Sequence, residues 1–144
     1  MFVFGSMLLF FEKRSGEKNL VKVIKINDIS IEVEVAGTPE TRAKGLSDRK
    51  MLPKGTGMLF IFDAPAQYGF WMKDMNFAID IIWISESSQV IGITEELAPE
   101  TFPEIFYPPG RVMYVLELSA GASRNFGIDI GQVVFLDIQS TQSE

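Results

Sequence analysis

Residues 69–85 read GFWMKDMNFAIDIIWIS. The stretch is apolar enough to suggest a membrane span, yet it carries Lys73, Asp74 and Asp80, the last between two isoleucines. A central aspartate costs a membrane helix roughly 2.5–3.5 kcal/mol on insertion scales. The β-branched run Ile79, Ile81, Ile82 and Ile84 favours a strand instead. The stretch is therefore expected to be strand, turn, strand: Phe70–Met72, a turn near Asp74 and Phe77, then Ile79–Ile84.

Working outward, the same alternation of short apolar runs and turn residues recurs. Val21–Ile26 and Ile29–Val35 predict a hairpin about Asn27-Asp28. In its second arm Ile29, Ile31, Val33 and Val35 face one way and Ser30, Glu32 and Glu34 the other. Thr38-Pro39-Glu40 has the hydroxyl cap, first-turn proline and early acid of a helix start, with the end expected near Gly45. Residues 46–57 form a loop, Met58–Phe62 a buried strand, and Asp63–Gly69 a turn. Val90–Thr94, Met113–Ser119 and Val133–Ile138 are further strands, with a short helix over Ala120–Phe126 closed by Gly127. Glu95–Arg111 holds four of the seven prolines and is expected to be an irregular connection. Many short strands with one or two short helices predict a mostly β domain, compact and sandwich-like or a partly open barrel.

The chain of 144 residues suits one domain, and 47% apolar residues supply a core without disulfides or metal. Residues 20–139 form that domain, with 1–19 before it and a polar tail of 140–144 after it. Met1–Phe11 (MFVFGSMLLFF) is apolar but shorter than the roughly 20 residues that span a bilayer. It also lacks a basic start and a small-residue cleavage site. It is read either as the end of an anchor or export signal that begins upstream of Met1, or as an apolar segment packing on the domain. Glu12–Asn19 is a polar linker. The first alternative implies a membrane tether and an extracytoplasmic or membrane-anchored location rather than a cytoplasmic one.

Composition excludes whole classes of chemistry. Without cysteine or histidine there is no thiolate, no imidazole base and no sulfur-bound zinc. Residues 1–54 hold ten Lys/Arg and seven Asp/Glu, giving +3; residues 55–144 hold three and twelve, giving −9. A net charge of −6 argues against nucleic acid as a partner. Glu95, Glu96, Glu100 and Glu104 match no calcium loop. Neither metal nor cofactor is expected.

Five motifs occur in one order: RAKGLSDR (42–49), GMLFIF (57–62), FWMKDM (70–75), IDIIWI (79–84) and YVLEL (114–118) followed by Ala120-Gly121. Together they resemble the prokaryotic family known as domain of unknown function 192, over about residues 29–137. The resemblance implies a compact, mostly β, sandwich-like fold, often preceded by a signal or anchor, and no assigned biochemical role. Two positions depart from the family pattern. Asp74-Met75 stand where Asn-Thr is common, and Gly131-Gln132 where Gly-Asp is common.

Asp80 shares a strand face with Ala78, Ile82 and Ile84; Glu117 shares one with Met113 and Val115. Unpaired, each carboxylate would cost several kcal/mol among such neighbours. Arg42, Arg49 and Lys73 are the candidate partners, and arginine suits a buried carboxylate best. Arg42–Asp80, with a similar pair at Glu117, is then either a strut between helix-loop segment and sheet or part of a polar ligand pocket. Trp71, Tyr68, Phe102, Phe106 and Tyr107 are either packing residues or an aromatic platform. Lys73 is placed beside Trp71 on one strand face.

The expected function is a non-catalytic binding or accessory domain at the cell envelope. Its ligand-binding candidates are Arg42, Arg49, Trp71, Lys73, Asp80, Glu117 and Tyr107, and its partner a small molecule, glycan or protein. The alternatives are a carboxylate-dependent hydrolase using Asp80 and Glu117, which requires both in one cleft, and a structural protein-interaction module.

Overall fold

The computed structural model describes residues 20–137. Residues 1–19 and 138–144, and with them the expected tether, lie outside the described residues. Strands β1 (Val21–Ile26) and β2 (Ile29–Ala36) form the expected hairpin. Asn27 and Asp28 both take positive φ, 51° and 65°. That backbone twists a two-residue turn to match its strands. Helix α1 (Pro39–Lys44) starts as its sequence predicts. The Thr38 hydroxyl accepts from the Thr41 amide, and the Thr41 hydroxyl accepts from the Thr38 amide.

The remaining elements are β3 (Thr56–Ala66), β4 (Ile79–Ile84), β5 (Val90–Leu97), β6 (Val112–Ser119), α2 (Ala122–Asn125) and β7 (Val134–Leu136). All seven strands join one sheet in the order β5-β4-β6-β3-β2-β1-β7. The β2–β3 pair is parallel and every other pair antiparallel. Two strands run further than expected. β3 continues through Asp63–Ala66 past a register shift after Ile61, and β5 continues to Leu97. One expected strand is missing: Phe70 makes an isolated bridge to Phe106 in place of a strand over Phe70–Met72. Extending that antiparallel pairing over 70–72 would set Met72 against Glu104, whose amide already donates to the Thr101 carbonyl at 2.9 Å, while the Met72 carbonyl accepts from the Met75 amide.

The sheet is curled, so the open-barrel form is the one adopted. At one end the residues before β7 are hydrogen-bonded to the start of β5. The Gly131 amide donates to the Val90 carbonyl at 2.8 Å, and the Val134 amide to Ser88 at 2.7 Å. The two ends of the strand order thus approach each other. Ile24, Ile31, Leu59, Ile82, Leu116 and Val134 fill the inner face. On the outer face Phe60, Phe70, Met72, Ile81, Trp83 and Val115 pack with residues of the connecting segments, among them Leu46 and Leu52. Among the described residues no helix is long and apolar enough to cross a membrane.

Gly57, on central strand β3, shows how closely β6 packs. A Cβ there would stand 2.8 Å from the Glu117 carbonyl oxygen and 2.8 Å from a Leu118 methyl. Gly57→Ala is expected to cost about 1–3 kcal/mol as overpacking, read from urea unfolding. An unchanged midpoint would contradict this packing.

Candidate functional site

Antiparallel register separates the two acidic candidates. Asp80 lies opposite Leu118, and Ile81 opposite Glu117. Residues directly opposite share a face, so Asp80 points into the curl with Leu118 while Glu117 points outward with Ile81. Both are fully buried, at 0% exposure. The expected cleft holding both carboxylates does not form, which removes the geometry that hydrolysis by this pair would need.

Among the described residues Asp80 also meets no arginine. Its Oδ1 accepts from the amides of Glu96 (2.8 Å) and Gly121 (3.2 Å). Its Oδ2 accepts from the amide (3.0 Å) and hydroxyl (2.6 Å) of Ser123. Local structure aims these donors. On β5 the register steps from Ile79–Leu97 to Ile81–Thr94, so Glu95 and Glu96 together oppose Asp80. This is a β-bulge, and Glu96 takes a φ of 51° within it. Gly121 takes a φ of 85° at the cap of α2, which turns the Ser123 amide inward.

Glu117 sits between Met58 on β3 and Ile81 on β4. Neither of its carboxyl oxygens has a hydrogen-bond partner among the described residues. Burial pushes its carboxyl up to about 7. A carboxyl with no donor in an apolar setting favours its neutral form.

The expected cations serve other groups. Arg42 is buried at the outer face, donating to the carbonyls of Gly37 (3.0 Å) and Ile61 (2.9 Å) and lying over the Phe62 ring at 5.2 Å. Arg49 grips Glu34 through two parallel bonds of 2.8 and 2.7 Å. That pairing raises the Arg49 pKa, against the opposing effect of its partial burial. Lys73 lies over Trp71 at 5.6 Å, and Trp71 packs on Phe102 at 5.1 Å. The Ser47 hydroxyl donates to the Lys73 carbonyl, and the Asn76 amide to that of Arg49. Arg49, Trp71 and Lys73 therefore belong to one stapled region on the outer side, with Tyr107 exposed at 59%. Asp80 is not part of it.

The structure adds a groove that sequence reasoning missed. It has a volume of about 310 Å³ and lies where β3 begins and β6 ends. Met51, Leu52, Ala122 and Phe126 give it apolar walls, and among the described residues Lys54 is the single ionisable side chain lining it. Thr56, Ser119 and Asn125 supply polar atoms. Its residues come from two segments far apart in the chain, each carrying only ordinary loop and short-helix signals. Among the described residues no cluster of three or more carboxylates could hold a metal ion.

The chain matches the model of the DUF192 family, "Uncharacterized ACR", over residues 22–136, and it belongs to that family. A solved structure from Sinorhizobium meliloti 1021, provisionally described as a transcription regulator, is 26% identical with a TM-score of 0.78. That match covers 83% of this chain and 96% of the other. A protein of unknown function from Novosphingobium aromaticivorans is also 26% identical, with a TM-score of 0.76, covering 81% and 85%. No curated protein matches.

Glu117 yields a pH-dependence with a definite sign. Its ordinary value is 4.5, and the folded value of about 7 lies above it. Its contribution to stability is thus fully present below pH 4.5 and is lost as pH rises through 7, because the unfolded state releases the proton first. Glu117→Gln cannot ionise. Its stability relative to the parent is expected to climb by on the order of 3 kcal/mol between pH 4 and pH 8. Parallel pH profiles of urea unfolding would contradict the unpartnered carboxyl.

Proposed function

We propose that this DUF192 domain is a non-catalytic binding or accessory module working at the cell envelope, and that the groove beside Lys54 is its binding surface. The observation that carries the reading is a contrast in how acids and groove are built. Asp80 is consumed by four internal donors and Glu117 is sealed between Met58 and Ile81. The groove is open, apolar-walled and about 310 Å³ in volume, at the lower end of the range for small-ligand sites. The envelope location draws support from the apolar run Met1–Phe11 and its polar linker.

A second reading, as a protein-interaction module, draws support from the outer side. Phe102, which packs beside Trp71, is 42% exposed, and Tyr107 is 59% exposed. Exposed aromatics of this kind are enriched at interfaces.

Titrating the isotope-labelled full chain with small neutral apolar fragments, benzyl alcohol among them, separates the two. Groove binding is expected to shift amides of residues 51–56 and 119–126. Ala120→Phe, a substitution at an exposed position on the groove wall, is expected to abolish those shifts. Shifts confined to Trp71, Phe102 and Tyr107 would favour the second reading, and no saturable shifts anywhere would sink the first.

A further inference from the structure

The groove's chemistry narrows what it would hold. Lys54, Ser119 and Asn125 make no side-chain hydrogen bond or ion pair among the described residues, whereas the Thr56 hydroxyl is committed to the Pro53 carbonyl at 2.6 Å. Lys54 stands at the edge of a chain segment with a large acidic excess, since residues 55–144 hold twelve Asp/Glu against three Lys/Arg. Even so, among the described residues the only ionisable side chain lining the groove is a cation. A cationic ligand would bring a like charge beside Lys54, and an anion would bring the complementary one.

The body of the ligand follows from the walls. Met51, Leu52, Ala122 and Phe126 offer apolar contact and no regular array of donors and acceptors. The two strands that reach the groove, β3 and β6, are both central. β3 is hydrogen-bonded to β2 and β6, and β6 to β3 and β4. No sheet edge is free there to pair with a peptide backbone, whose N–H and C=O groups would each need a partner. An acyl chain has no such groups along its length. The volume suits one short chain rather than a two-chain lipid.

We propose that the groove binds a short-chain or medium-chain monocarboxylate. Its chain lies along Leu52, Ala122 and Phe126, and its carboxylate meets Lys54 and the Asn125 amide. This inference rests on the reading of the groove as the binding surface, and it adds the class of ligand.

The test titrates the isotope-labelled full chain with octanoate, 1-octanol and octyltrimethylammonium. Octanoate is expected to shift residues 51–56 and 119–126 saturably and to bind at least about fivefold more tightly than the other two probes. Lys54→Met is expected to weaken octanoate about fivefold and leave 1-octanol unchanged. If the three probes bind equally and Lys54→Met changes nothing, the anionic class is overturned while the groove stands. If neutral fragments bind the groove but octanoate does not, the acyl-acid class is overturned and the groove again stands. If neither octanoate nor any neutral fragment shifts these residues, both readings are overturned together.

Discussion

The Asp80 carboxylate, sealed inside the curl of the sheet, takes one hydrogen bond from the Glu96 amide of β5 and three from Gly121 and Ser123 at the start of α2. These bonds tie the two elements together where the bulge breaks the β4–β5 ladder. Helix α2 has four residues, too few to persist without tertiary support. β5 is an edge strand interrupted by its bulge, where Glu96 occupies a left-handed backbone that is unfavourable for a residue with a side chain. The carboxylate offsets that cost by accepting the proton the bulge turns inward. It lets β5 bend and seats α2, whose Ala122 and the following Phe126 pack against the inner core.

Because the residues of a strand alternate between faces, placing Asp80 inside the curl obliges the next residue Ile81, and with it the cross-strand Glu117, to face outward. The two acids then have opposite fates. Asp80 is supplied with donors by a bulge and a cap. Glu117 lies between Met58 and Ile81 with none among the described residues, and burial favours its neutral form. Neither is left to act on a substrate, which is why the proposed function moves from the acids to the groove where β3 begins and β6 ends.

Much of the fold was legible because its signals are local. The Asn27-Asp28 turn, the Thr38-Pro39 cap and the β-branched run of β4 each act within a few residues. The motif order carried the family assignment as well. What escaped depends on register between distant segments. Asp80 could be seen to need partners, but the expectation that an arginine would supply them overlooked backbone amides. The bulge at Glu95-Glu96 and the positive φ of Gly121 are set by pairing and capping rather than by a pattern along the chain. Phe70–Met72 looked like a strand by composition, but the facing Glu104 amide is taken by Thr101 and the Met72 carbonyl by Met75. The groove joins residues near 51–56 to residues near 119–126, a meeting fixed by the pairing of β3 with β6.

The most direct measurement is urea unfolding of Asp80→Asn beside the parent. The amide would turn an N–H₂ group toward amide donors that now find an acceptor. Hydrogen bonds to a charged group contribute about 1.5–3 kcal/mol each, so a loss of about 3 kcal/mol or more is expected. An unchanged or raised midpoint would mean that Asp80 does not hold β5 and α2 in place, and the account of the fold given above would fail.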